Sequence, residues 1–118
     1  MRGCVVLLAA AVVATAVAWT AAGAAGSGNS RNDRLLALPE AQVAQGLGDS
    51  FRRGCIGVEA FPMGVTTTGR ARGYAYWSVR CKNGKAYVVQ IPSNPKIAPL
   101  VADCKALAGT GHECFKKF

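Results

Sequence analysis

The chain has 118 residues, 51% of them apolar and 17% charged, with 14 Lys and Arg against 6 Asp and Glu, and five cysteines. That length holds one small domain and nothing larger. The composition excludes a disordered or collagenous chain, and no internal repeat or sustained heptad pattern is present.

Residues 1–25 have the order of a secretory signal. A single charge, Arg2, precedes an apolar run from Cys4 to Trp19, and the small-residue tract Ala21 to Ala25 follows. An apolar helix can thread the translocon and small side chains fit a signal peptidase, so cleavage after Ala24 or Ala25 is expected. The alternative is a retained anchor, because residues 4–25 number 22 and a membrane helix needs about 20. With the signal removed, 13 basic and 6 acidic residues remain, a net charge of +7 on 93 residues. A domain of that size buries only about 60–65% of its unfolded surface, which calls for covalent staples.

The stretch GSGNSRND that follows is small and polar, with too little apolar surface to order itself, and reads as a flexible linker over 26–34. A single domain then runs over 35–118. Pro39 suits a first helical position and Glu40 complements the helix dipole, while Val43, Leu47 and Phe51 recur at i, i+4 and i+8. Together they predict a helix over 39–53, ended by Gly54. Gly46 and Gly48 each weaken it by up to about 1 kcal/mol relative to Ala. Residues 55–61 read as a strand closed by the turn signal Pro62-Met63-Gly64, and the Thr66-Thr67-Thr68 run favours extended structure beyond it.

Residues 74–81 and 85–91 are two β-rich runs joined through Asn83-Gly84, which predicts a hairpin. The loop length follows from parity, because a one-residue shift in pairing exchanges the faces of one strand relative to the other. A two-residue loop would put Trp77 and Val79 beside Ala86, Val88 and Gln90. A three-residue loop pairs Cys81 with Lys85 and sets Ala75, Trp77, Val79 and Cys81 on one face with Tyr87, Val89 and Ile91. The second arrangement separates apolar from polar far better, and it predicts a type I turn with Gly84 in the left-handed bulge position.

Pro92-Ser93-Asn94-Pro95 ends the hairpin. Pro99 can open a second helix, with Leu100, Val101, Cys104, Leu107 and Ala108 on one face, Gly109 as its stop and Cys104 turned toward the core. The expected fold is therefore α+β: an N-terminal helix, a three-stranded antiparallel sheet with a central hairpin, and a C-terminal helix, stapled by disulfides.

Four cysteines remain after the signal, Cys55, Cys81, Cys104 and Cys114, and an even set in a small exported chain reads as two bridges. Three pairings are open. Pairing chain neighbours, Cys55 with Cys81 and Cys104 with Cys114, closes a loop between adjacent elements each time and is preferred. A zinc site using His112 has no C-x-x-C pair to rest on, and export favours oxidation over thiolate ligation. No metal or cofactor is implied.

Acid/base or nucleophilic catalysis needs at least two groups in mutual reach. His112 beside Glu113 is a thin basis for either, and every mature cysteine has a role in a bridge, so no catalytic residue is assigned. The basic residues favour an anionic partner: an anionic glycan, a lipid head group or an acidic protein. Export disfavours nucleic acid. The outward face of the hairpin is the candidate surface, with Tyr74, Tyr76 and Arg80 on the outer side of its first strand, Arg72 at the near end, and Lys82 and Lys85 at the turn, an amphipathic platform ringed by cations. Coverage of that face by the second helix or the C-terminal tail is the competing expectation. The function class is a non-enzymatic exported binding module, in the periplasm or outside the cell. Its alternatives are a membrane-tethered accessory subunit that keeps residues 4–25 and a small secreted enzyme.

Overall fold

Four antiparallel strands form a meander in the order β1-β2-β3-β4: β1 Gly57–Val65, β2 Ala75–Cys81, β3 Ala86–Ile91 and β4 Leu100–Asp103. Among the described residues two helices precede it, α1 Ser30–Leu36 and α2 Glu40–Asp49, and a single 3-10 turn, Cys104–Leu107, follows β4. The computed structural model describes residues 26–51 and 54–118. The signal or anchor expected over 1–25 lies outside the described residues.

Helix α2 starts one residue after Pro39, whose missing N–H is no loss there. It ends at Asp49, short of the expected 39–53, yet the apolar spacing serves its purpose: Val43, Ala44, Leu47 and Phe51 are all buried. They meet Ala75, Trp77, Val79, Tyr87, Val89 and Ile91, the inner face of the hairpin, with the Phe51 and Tyr87 rings edge to face at 5.3 Å. Gly48 is required by a close approach, since a Cβ there would sit 2.6 Å from the Gly57 nitrogen. A Cβ on Gly57 would overlap the Ala44 carbonyl. The helix therefore lies against β1 through glycine at both sides of the contact, and the propensity lost at Gly48 is offset by packing.

The hairpin adopts the three-residue loop. Trp77 pairs Val89 and Val79 pairs Tyr87, the Cys81 amide donates to the Lys85 carbonyl at 2.8 Å, and the Gly84 amide donates to the Cys81 carbonyl at 2.9 Å. Gly84 has φ 85°, the left-handed bulge conformation. Both disulfides form as paired by neighbour: Cys55–Cys81, spanning 26 residues, and Cys104–Cys114, spanning 10.

Three expectations change. The flexible linker expected over 26–34 is instead folded around α1. The Asn29 side chain accepts the Asn32 amide at 3.1 Å and caps the helix. Its amide also donates to the carbonyls of Gly73 at 2.9 Å and Ile91 at 2.8 Å, and only 1% of Asn29 is exposed. Asn32 Oδ1 accepts the indole N–H of Trp77 at 2.8 Å. Hydrogen bonds order a stretch whose apolar content could not, because buried carbonyls and an indole N–H need partners. Arg31 adds a hydrogen bond of 2.9 Å to the Ile97 carbonyl, which ties α1 to the β3–β4 connection.

The second change is at Pro62-Met63-Gly64, which bends nothing: β1 runs straight through. Pro62 pairs Trp77, and a register shift between Pro62 and Gly64 absorbs the missing donor as a bulge. The third is the C-terminal helix. Leu100–Asp103 instead forms β4, pairing Gln90 with Leu100 and Tyr87 with Asp103, so the sheet has four strands rather than three. A free edge on β3 presents a row of backbone groups that a short uncapped helix would leave unpaired. Asp103 then caps the 3-10 turn through the Lys105 amide at 2.9 Å. Cys104 lies half-exposed rather than in the core.

Two stability measurements check this account. Asn29→Ala strips two buried carbonyls and a helix cap of their donor and acceptor, and is expected to lower unfolding free energy by about 2–4 kcal/mol in urea. A loss under about 0.5 kcal/mol, typical of surface positions, would return 26–34 to the status of a linker. By loop length the two bridges contribute about 3.5 kcal/mol for Cys55–Cys81 and about 2.7 kcal/mol for Cys104–Cys114. The double alanine replacement at 55 and 81 is therefore expected to be the more damaging one, more so because both of those cysteines are buried.

Candidate functional site

Strand alternation sends Tyr76, Ser78 and Arg80 of β2, and Ala86, Val88 and Gln90 of β3, away from α2. On β4 the same face carries Leu100 and Ala102. The C-terminal segment, held by Cys104–Cys114, lies across part of this outer face. The Phe115 amide donates to Ser78 Oγ at 2.9 Å, and the Phe118 amide to the Met63 carbonyl at 3.3 Å. The Phe118 ring meets Tyr76 edge to face at 5.5 Å. The Arg80 guanidinium sits 4.6 Å over the Phe115 ring and bonds Glu59 at 3.0 Å, the one ion pair among the described residues. Ser78 is fully buried in consequence, and Val88 is 6% exposed.

The six residues of the expected platform are thus divided. Tyr76 and Arg80 are half-covered by the C-terminal segment. Tyr74 precedes β2 in a turn, its carbonyl accepting the Thr66 amide at 2.9 Å. Arg72 borders a shallow hollow with Thr67, Gly73 and Ser93, Lys82 borders another with Ile56 and Asn83, and Lys85 lies exposed at the hairpin turn. Arg72 and Lys82 thus border different hollows.

What the face does form is a groove of about 580 Å³. Its floor is Tyr76, Val88, Gln90, Leu100 and Ala102, and Leu107, His112 and Phe118 of the C-terminal segment wall it. The volume falls within the range of about 300–1,000 Å³ usual for small-molecule sites. Leu100 is 63% exposed, an unusual state for a leucine set in a sheet face. Polar groups are few. Gln90 Nε2 donates to Tyr76 Oη at 3.1 Å, and among the described residues neither the Tyr76 hydroxyl proton nor Gln90 Oε1 has a partner. Burial pushes the Tyr76 phenol above its ordinary pKa, the nearby Tyr74 adds to this, and the Gln90 bond opposes it. The phenol is accordingly a neutral hydrogen-bond donor throughout the physiological range. The His112 ring stands edge to face on Phe118 at 6.0 Å.

Parity of the hairpin is enough to place Tyr76, Val88 and Gln90 on this face. Leu100 and Leu107 escape the sequence because their spacing reads equally as a helix face, and Met63 because Pro62-Met63-Gly64 reads as a turn. Among the described residues no three His, Cys, Asp or Glu side chains gather as a metal site requires, and no helix there is long and apolar enough to cross a membrane. No protein-family model, curated protein or solved structure matches the chain.

Tyr76→Ala tests how far the C-terminal segment covers this face. A fully buried aromatic truncated to Ala loses about 3–5 kcal/mol and an exposed one under about 0.5 kcal/mol. The half-covered ring is expected to fall between, near 1–3 kcal/mol in thermal or urea unfolding, by the same reasoning. A near-zero change would detach Phe118 from the sheet.

Proposed function

We propose that the chain is an exported, non-enzymatic binding module that engages an anionic partner at the outer face of its sheet. The observation that carries this reading is an open groove with apolar walls on a domain of net charge +7. Long-range attraction raises the encounter rate with an anion, and a local apolar surface then retains it. Both disulfides fit an oxidising compartment. Non-enzymatic action is favoured because all four described cysteines are bridged, which leaves His112 and Glu113 as the only neighbouring acid/base pair in that segment.

Binding to anionic vesicles and to a sulfated glycan at two salt concentrations tests the electrostatic half. Affinity for at least one of them is expected at low salt and should fall by about tenfold or more once the Debye length shrinks from about 30 Å at 0.01 M to about 8 Å at 0.15 M. No binding at low salt would remove the anionic partner.

A further inference from the structure

Resting on the reading of the outer face as the binding surface, we infer that the groove takes the hydrocarbon chain of a free single-chain anionic amphiphile of the fatty-acid class. The argument starts from what the lining lacks. Its floor crosses three strands, a width of about 10 Å, and none of the lining side chains is a lysine, arginine or carboxylate. Val88, Leu100, Ala102 and Leu107 offer aliphatic contact and nothing to hydrogen-bond. A sugar would leave most of its hydroxyls unpaired there, which is costly. Thr66, the remaining hydroxyl of the lining, already donates to the Ala71 carbonyl.

An added peptide strand is disfavoured on length. The β4 edge has four residues, bounded on one side by Pro99, which has no N–H, and on the other by the 3-10 turn. So short an edge supports little of the main-chain ladder that gives strand addition its affinity.

A head group is catered for at one end. Phe118 contacts both Tyr76 and His112, so a phenol proton without a protein acceptor and an imidazole flank the same ring. The exposed Lys116 and Lys117 immediately precede Phe118 in the chain, and Lys105 lies two residues before Leu107. A carboxylate there would accept from Tyr76 Oη while its chain runs over Val88 and Leu100. The domain's net charge of +7 draws an anion to the groove, and the apolar floor selects a chain.

The test is isothermal titration of the oxidised protein with laurate below its micelle concentration, beside dodecyltrimethylammonium, butyrate, heparin and phosphatidylglycerol vesicles. Laurate is expected to saturate at one site, with dodecyltrimethylammonium and butyrate each weaker by about tenfold or more. Leu100→Glu, at an exposed position where the fold tolerates a charge, is expected to weaken laurate by about tenfold or more with unchanged circular dichroism. Butyrate as tight as laurate, indifference to Leu100→Glu, or affinity for vesicles or heparin without laurate would overturn the amphiphile and leave the anionic-partner reading standing. Failure of every anion at low salt would overturn both.

Discussion

A sheet has two faces, and a domain this small has only α2 and the short α1 with which to cover them. Everything else in the architecture follows from how the second face is handled. Helix α2 seals the inner face through Val43 and Leu47, with Phe51 just beyond its end. The outer face is left to a C-terminal segment with little regular structure, and such a segment has no internal ladder to hold its shape. The Cys104–Cys114 bridge supplies the missing constraint by closing its loop, and Ser78 and Met63 anchor it by accepting the amides of Phe115 and Phe118. Coverage stops short of β4, and the groove is the part of the outer face the segment does not reach. The groove is thus the exposed remainder of a face that the described segments cover only in part.

The inner face was legible because apolar periodicity and hairpin parity are both strong where one face is buried. Trp77, Val79 and Val89 could lie together only in the three-residue register, and shifting by one would have put Val89 on the face opposite Trp77 and Val79. The neighbour pairing of the cysteines followed from loop economy and is the pairing observed. Apolar content misleads at the two ends of the domain. Asn29 and Asn32 read as solvated because polar side chains usually are, whereas here they serve buried carbonyls and the Trp77 indole, partners that only the assembled fold brings together. Leu100 and Val101 suggested a helix because four residues are too few to tell period 2 from period 3.6. The open edge of β3 decided between them, and an open edge is a tertiary fact.

The same distinction governs the functional surface. Tyr76 was identifiable from parity, since strand alternation alone turns it outward. The cations expected around it were grouped by nearness in sequence, and the turns scatter them. Arg72 and Lys82 border different hollows, Lys85 is exposed at the hairpin turn, and Arg80 is occupied by Glu59 and Phe115. Groups that must converge on one ligand come from distant parts of the chain, here β2, β3, β4 and the C-terminal segment, and no local pattern announces that convergence.

Charge and shape therefore act at different ranges in this molecule. Dispersed lysines and arginines give no defined anion cradle, and an isolated exposed cation is worth little to a bound partner in water. Summed over the whole surface, however, they bias which molecules arrive, because the field of a net charge outlasts the loss of any single pair within a Debye length. Retention must come from something local that excludes water. The groove is such a feature, and its few polar groups include Tyr76 and His112, which flank Phe118, and Gln90, which donates to Tyr76. A partner that is anionic but wholly hydrophilic would use the first property and not the second. One that is anionic at one end and apolar along its length would use both, and the proposed selectivity rests on that difference.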